Sequence, residues 1–161
     1  MLIGGPLEFD PNLLSSEPLP DISLQMGYHK ENIYWARSGR SSISLVLQTF
    51  REELSEGWLL LPDYQCWAVN SVFSSVKTKD ISVTRKLILE DNALENFLND
   101  PELKGVFLID YFGLSDIESD ISLIKNKRPD ILVFVDAAQA FLSIVMNSDK
   151  YACADAIISS P

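Results

Sequence analysis

Apolar and polar positions along this chain follow two periods. Ile43, Leu47, Phe50 and Leu54 are spaced by four, three and four residues, which puts them on one face of a helix beginning near Ser41. The stretch SGRSS (38–42) stands at its start, with Ser38 or Ser41 available as a cap. WLLLP (58–62) has the unbroken apolarity of a strand covered on both faces. Val69, Val72, Phe73 and Val76 make a second helical stripe. ISVTRKLI (81–88) alternates and is β-branched, which predicts a strand. Ala93, Leu94, Phe97 and Leu98 predict a short helix, and GVFLID (105–110) another buried strand. Ile117, Ile121 and Ile124 form a third stripe, closed by a basic last turn and Pro129. ILVFVD (131–136) and ADAIISS (154–160) complete the pattern.

Strands alternating with helices at crossover lengths predict a three-layer α/β fold: a mostly parallel sheet with helices on both faces. Residues 1–33 are rich in Pro, Gly, Ser and Asp without periodicity, and predict an irregular N-terminal arm. The folded unit then runs over 34–161. No internal repeat or low-complexity segment interrupts it.

Composition narrows the classes. The 161 residues suffice for one core-bearing domain, or for part of a larger one. With 47% hydrophobic and 22% charged residues, the composition is that of a soluble globular chain. A formal charge of -10 excludes a basic face for nucleic acid. Cys66 and Cys153 have no motif spacing and no nearby histidine, which argues against a disulfide framework or a metal site and for a reduced, cytoplasmic setting. The single histidine, His29, lies in polar MGYHKEN and is expected at the surface. The first residues lack the basic and apolar regions of a signal peptide, and no apolar run approaches the ~18 residues of a membrane helix.

In open α/β sheets, ligands bind beyond the carboxyl ends of the strands. Asp63, Asp110, Asp136, Ser159 and Ser160 all fall at such ends. Each also has a plain structural reading, since an aspartate after a strand often caps the next helix. The Gly39 turn lets the backbone approach a ligand, and unpaired N–H groups at a helix start attract phosphate. Glycine and serine are nevertheless ordinary loop residues.

Taken in order, ARSGRSSISLVL (36–47), LLLPDYQCW (59–67), FLIDYFG (107–113), VFVDAAQAF (133–141) and ADAIISSP (154–161) resemble the fold-type-I pyridoxal-phosphate (PLP) aminotransferases. Within them the likeness is to the DegT/StrS sugar aminotransferases of surface-polysaccharide gene clusters. It covers about residues 34–161. The resemblance implies PLP as cofactor, with Asp136 meeting the protonated pyridine nitrogen and keeping the ring an effective electron sink. It further implies that Gln139 approaches the ring hydroxyl. Gly39, Arg40 and Ser41 match the phosphate-binding turn, and Ser160 matches a phosphate-contacting serine. Trp67 matches the aromatic that stacks on the ring, with Tyr64 as substitute; both also have a reading as core or surface aromatics.

The Schiff-base lysine of that family would follow IISSP, and the sequence ends at Pro161. No upstream lysine matches it; Lys150 stands in polar MNSDKY. No catalytic residue is therefore assigned, and the expectation is an N-terminal part of a PLP-transferase large domain. The implied partners are a nucleotide-linked keto-sugar, an amino donor and a second subunit of a homodimer. A catalytically inactive relative serving as a binding or assembly protein is the alternative. An unrelated doubly wound nucleotide-binding module would need a G-x-G-x-x-G or P-loop after a strand, and neither occurs.

Overall fold

A computed structural model describes residues 28–160. The part of the expected arm over 1–27 lies outside the described residues, and 28–33 hold one 3-10 turn, Lys30–Asn32. Five strands follow: β1 (Trp58–Pro62), β2 (Thr78–Ile81), β3 (Leu103–Ile109), β4 (Leu132–Asp136) and β5 (Ala156–Ile158). All pair in parallel, in the order β2-β1-β3-β4-β5. The helices are α1 (Gly39–Thr49), α2 (Arg51–Ser55), α3 (Trp67–Asn70), α4 (Asp91–Leu98), α5 (Ile117–Lys127) and α6 (Phe141–Met146).

Successive strand residues point to opposite faces, so each apolar run feeds two cores. On the first face, Val106, Leu108, Val133 and Val135 pack with Leu94, Leu98, Ile117, Ile121, Ile124 and Ile144. On the second, Leu59, Leu61, Phe107 and Phe134 pack with Ile43, Leu47, Leu54 and Phe73. The predicted three-layer α/β architecture is the observed one. Burial on both faces is why the strands read as continuous apolar runs rather than as alternation.

Of residues 81–88, expected as a strand, only Ile81 is in one; the rest form a tight hairpin. The Thr84 N–H donates to the Ile88 carbonyl at 2.9 Å, and Val83 bridges antiparallel to Leu89. Leu87, in the intervening turn, has φ 61. The strand proper is β2, just upstream, an edge strand that buries only Ile81. The expected second helical stripe is a short α3 continued by a 3-10 segment, Ser71–Ser75, in which Phe73 is buried.

α1 runs back along the second face. Its continuation α2 brings Leu54 Cδ2 within 3.3 Å of where a Cβ on Gly105 would stand, near the start of β3. The other end of α1, at Gly39, therefore lies toward the carboxyl ends of the strands. The strand order reverses between β1 and β3, and the crevice outside those two strand ends is where open α/β sheets bind ligands. Residues 63–67 and 110–113 flank it.

Candidate functional site

Asp136 ends β4, and the alternation from Phe134 directs its side chain to the second face, which α1 covers. Its Oδ1 accepts the Ala138 N–H at 3.0 Å. Among the described residues no lysine, arginine or histidine pairs with it. Burial pushes its pKa above the ordinary carboxylate value, and the Ala138 N–H opposes that shift. A desolvated carboxylate without a cation is stabilised by any cationic N–H donor that reaches it. The small residues that follow have a structural reason. Ala137 and Ala140 are buried, the Ala137 N–H donates to the Ile158 carbonyl at 2.7 Å, and the Ala140 N–H donates to the Ala137 carbonyl at 2.9 Å. Gln139 is exposed on this turn.

Ser38 rather than Ser41 caps α1, accepting the Ser41 N–H at 3.2 Å. The leading N–H groups of a helix have no intrahelical partner, and the helix dipole adds partial positive charge there. A Cβ on Gly39 would meet nothing within 4 Å, and Arg40 and Ser41 are exposed. Ser160 is exposed just past β5, and its neighbour Ser159 donates to the Ala137 carbonyl at 3.4 Å. Asp136, Gln139 and Ser160 thus lie at the carboxyl end of the sheet, and Gly39, Arg40 and Ser41 open α1. α1 and the Asp136 side chain share the sheet's second face.

The two aromatic candidates separate. Tyr64 is 62% exposed, and its ring lies 5.7 Å from that of Tyr111. The Tyr111 hydroxyl donates to the Tyr64 carbonyl. Burial first, then the charges of Asp63, Tyr64 and Asp136, raise the Tyr111 pKa, so its hydroxyl remains a proton donor. Trp67 is 81% exposed and lines a cleft of about 320 Å³ with Asn70, Ser71, Phe73 and Ser74, reaching Thr78 of the edge strand β2. Tyr111 was not anticipated. The one signal for it is an aromatic residue placed directly after the strand-end Asp110.

Asp110 is fully buried. Lys150, expected in a polar loop, has its Nζ 2.8 Å from Asp110 Oδ2, with its side chain only 12% exposed. It is a paired cation and does not pair with Asp136. His29 is exposed, 3.9 Å from Glu31. Cys66 and Cys153 are free and exposed. Among the described residues no cluster of three or more His, Cys, Asp or Glu side chains suits a metal, and no helix is long and apolar enough to cross a membrane.

No protein-family model matches the chain, and neither does any curated protein sequence. Solved structures do. A NifS-like protein from Rickettsia africae superposes with a TM-score of 0.66 at 21% identity, over 85% of this chain and 40% of that one. A cysteine desulfurase from Thermococcus onnurineus gives 0.68 at 17%, over 86% and 36%. A putative sugar aminotransferase from Streptococcus pneumoniae, in its PLP form, gives 0.51 at 16%, over 63% and 30%. This chain shares their fold. At these identities the likeness speaks to fold alone, and the chain spans 30% to 40% of the length of these three structures.

Proposed function

We propose that residues 34–161 form the amino-terminal part of the large domain of a PLP-dependent aminotransferase, acting on a nucleotide-linked keto-sugar in polysaccharide biosynthesis. The observation that carries this reading is Asp136: a partly buried carboxylate at a strand tip, with no cation paired to it among the described residues and a pKa raised by burial. A protonated pyridine nitrogen is the partner such a group lacks. In this reading Gly39, Arg40, Ser41 and Ser160 hold the cofactor phosphate, Gln139 meets the ring hydroxyl, and Trp67 or Tyr64 covers the ring. The contact between Tyr64 and Tyr111 favours Tyr64. PLP supplies an electron sink for bonds broken at the substrate carbon. The chain's own residues bind and orient it, and Asp136 holds a proton on the ring nitrogen. In this reading Lys150, held by Asp110, is not the Schiff-base lysine, and a homodimer completes the enzyme.

A catalytically inactive relative used in binding or assembly is the second reading. It draws on Phe112 of the Tyr111–Gly113 turn, Leu114 just after it, and Leu142 and Met146 of α6, which are exposed apolar side chains.

Calorimetric titration with pyridoxamine 5′-phosphate tests the cofactor. This probe carries the ring nitrogen and phosphate but no aldehyde to react with surface amines. Saturable binding that weakens about tenfold or more in Asp136→Asn is expected, a loss of roughly 1.4 kcal/mol or more. Absence of binding, or equal binding by the variant, would overturn the assignment of Asp136.

A further inference from the structure

Asp110 directly follows β3, and its N–H donates to the Asp136 carbonyl at 2.9 Å. The two carboxylates serve opposite faces. That of Asp110 is buried with Tyr151, a member of the first-face core. There its Oδ2 accepts from Lys150 Nζ at 2.8 Å and from the Tyr151 hydroxyl at 2.6 Å, while Oδ1 accepts the Ser115 N–H at 3.2 Å. Lys150 also donates to the Gly113 carbonyl at 3.2 Å. One cation thereby ties the 3-10 segment Ser148–Tyr151 to the turn Tyr111–Gly113.

That turn is strained despite its own bonds, from the Leu114 N–H to the Tyr111 carbonyl at 3.0 Å and from the Tyr111 N–H to Ser115 Oγ at 3.1 Å. Phe112 has φ 59, a left-handed conformation that costs a side-chain-bearing residue about 1–2 kcal/mol. Gly113 has φ 76, and a Cβ there would sit 2.5 Å from Ser143 Oγ. From the same turn Tyr111 reaches over to Tyr64. A buried ion pair rarely stabilises a fold more than well-packed apolar residues of equal volume. What it offers is a defined geometry, and here that geometry ends on the backbone of Asp136.

We propose that Lys150 is a positioning residue for the Asp136 site, acting through the buried carboxylate of Asp110 from the opposite face of the sheet. The inference rests on reading Asp136 as the carboxylate that faces the cofactor ring.

Removing Lys150 alone would leave an uncompensated charge, so the test uses Asp110→Asn/Lys150→Met in the 161-residue chain. The readouts are urea unfolding, amide hydrogen exchange and pyridoxamine 5′-phosphate titration. The double variant is expected to unfold cooperatively, yet to exchange the Ala138 amide about tenfold faster, with β1 amides unchanged. Its affinity for the probe falls about tenfold, and Lys150→Arg returns both values to within about threefold of the parent. A folded double variant with parental Ala138 exchange and parental affinity would sink the proposal while leaving the cofactor reading intact. If the parent chain binds no probe but Ala138 exchange still quickens, the cofactor reading fails and the positioning of Asp136 by Lys150 stands. Should the double variant not fold, Lys150→Gln, which keeps a donor near Asp110, decides by the same Ala138 exchange: faster supports the proposal, unchanged overturns it.

Discussion

Tyr111 donates its hydroxyl to the backbone carbonyl of Tyr64, joining the ends of β3 and β1 where the strand order of the sheet reverses. The bond spans 47 positions of sequence and, with the contact between the same two rings, holds the two loops together. Tyr111→Phe keeps the ring and deletes the donor. It is expected to cost about 0.5–1.5 kcal/mol in urea unfolding. Burial raises the pKa of Tyr28, Tyr111 and Tyr151, so ultraviolet titration of the parent chain should show these three ionising above the ordinary tyrosine range. The titration of Tyr111→Phe should show one fewer.

Asp136 carries a stability signal of its own. Its folded pKa lies above the unfolded value, so the folded state holds the proton more tightly. The stability tied to that proton is complete below the unfolded value and is lost as pH rises through the folded one. Asp136→Asn, neutral at every pH, should therefore raise the unfolding midpoint of the ligand-free chain near pH 7 and leave it unchanged near pH 3. A variant less stable than the parent near pH 7 would contradict the raised pKa.

Lys150 is a half-buried cation whose partner is fully buried. Lys150→Met leaves Asp110 charged and unpaired, and the expected cost is about 3–5 kcal/mol by urea unfolding. The same pairing occupies the amine with bonds to Asp110 and the Gly113 carbonyl and shields it from solvent, which makes it a poor nucleophile. Borohydride reduction after exposure to pyridoxal phosphate, followed by peptide mass spectrometry, should find no pyridoxyl group on Lys150. A dominant adduct there would overturn its role as a fixed cation.

Much of the fold was legible because of where it is buried. WLLLP, GVFLI and ILVFV read as strands since both faces of each are covered, and Ile117, Ile121 and Ile124 read as a helix since one stripe is. β2 was not, because an edge strand that buries only Ile81 carries no apolar pattern. α6 was not, because it has six residues and an N-cap, Ala140, with no side-chain bond to announce it. In the site, Asp136 was legible as a carboxylate on a buried strand tip. The partner of Asp110 was not: Lys150 lies 40 residues away in a stretch that looks solvated, and only the α6 segment folding back brings it home. Tyr111 was missed for the same reason, since its bond to Tyr64 belongs to no local pattern.

The two aromatics at the carboxyl end of the sheet make opposite demands on experiment. Trp67 matches the stacking residue by resemblance, yet it lines the cleft toward β2 with Asn70, Ser71 and Ser74. Tyr64 has its ring against Tyr111, whose hydroxyl feels the Asp136 charge. A stacked ring contact is worth about 0.5–1.5 kcal/mol beyond the area it buries, or roughly a two- to tenfold change in affinity. Tyr64→Ala should weaken pyridoxamine 5′-phosphate binding by at least that factor, and Trp67→Ala should leave it within about twofold. Tryptophan fluorescence gives an independent check. If Tyr64 covers the ring, the probe quenches Trp67 no more than it quenches Trp35, which is also exposed. Strong quenching that disappears in Trp67→Ala, together with an unaffected Tyr64→Ala, would return the stacking role to Trp67 and require α3 to turn toward Asp136 when ligand binds.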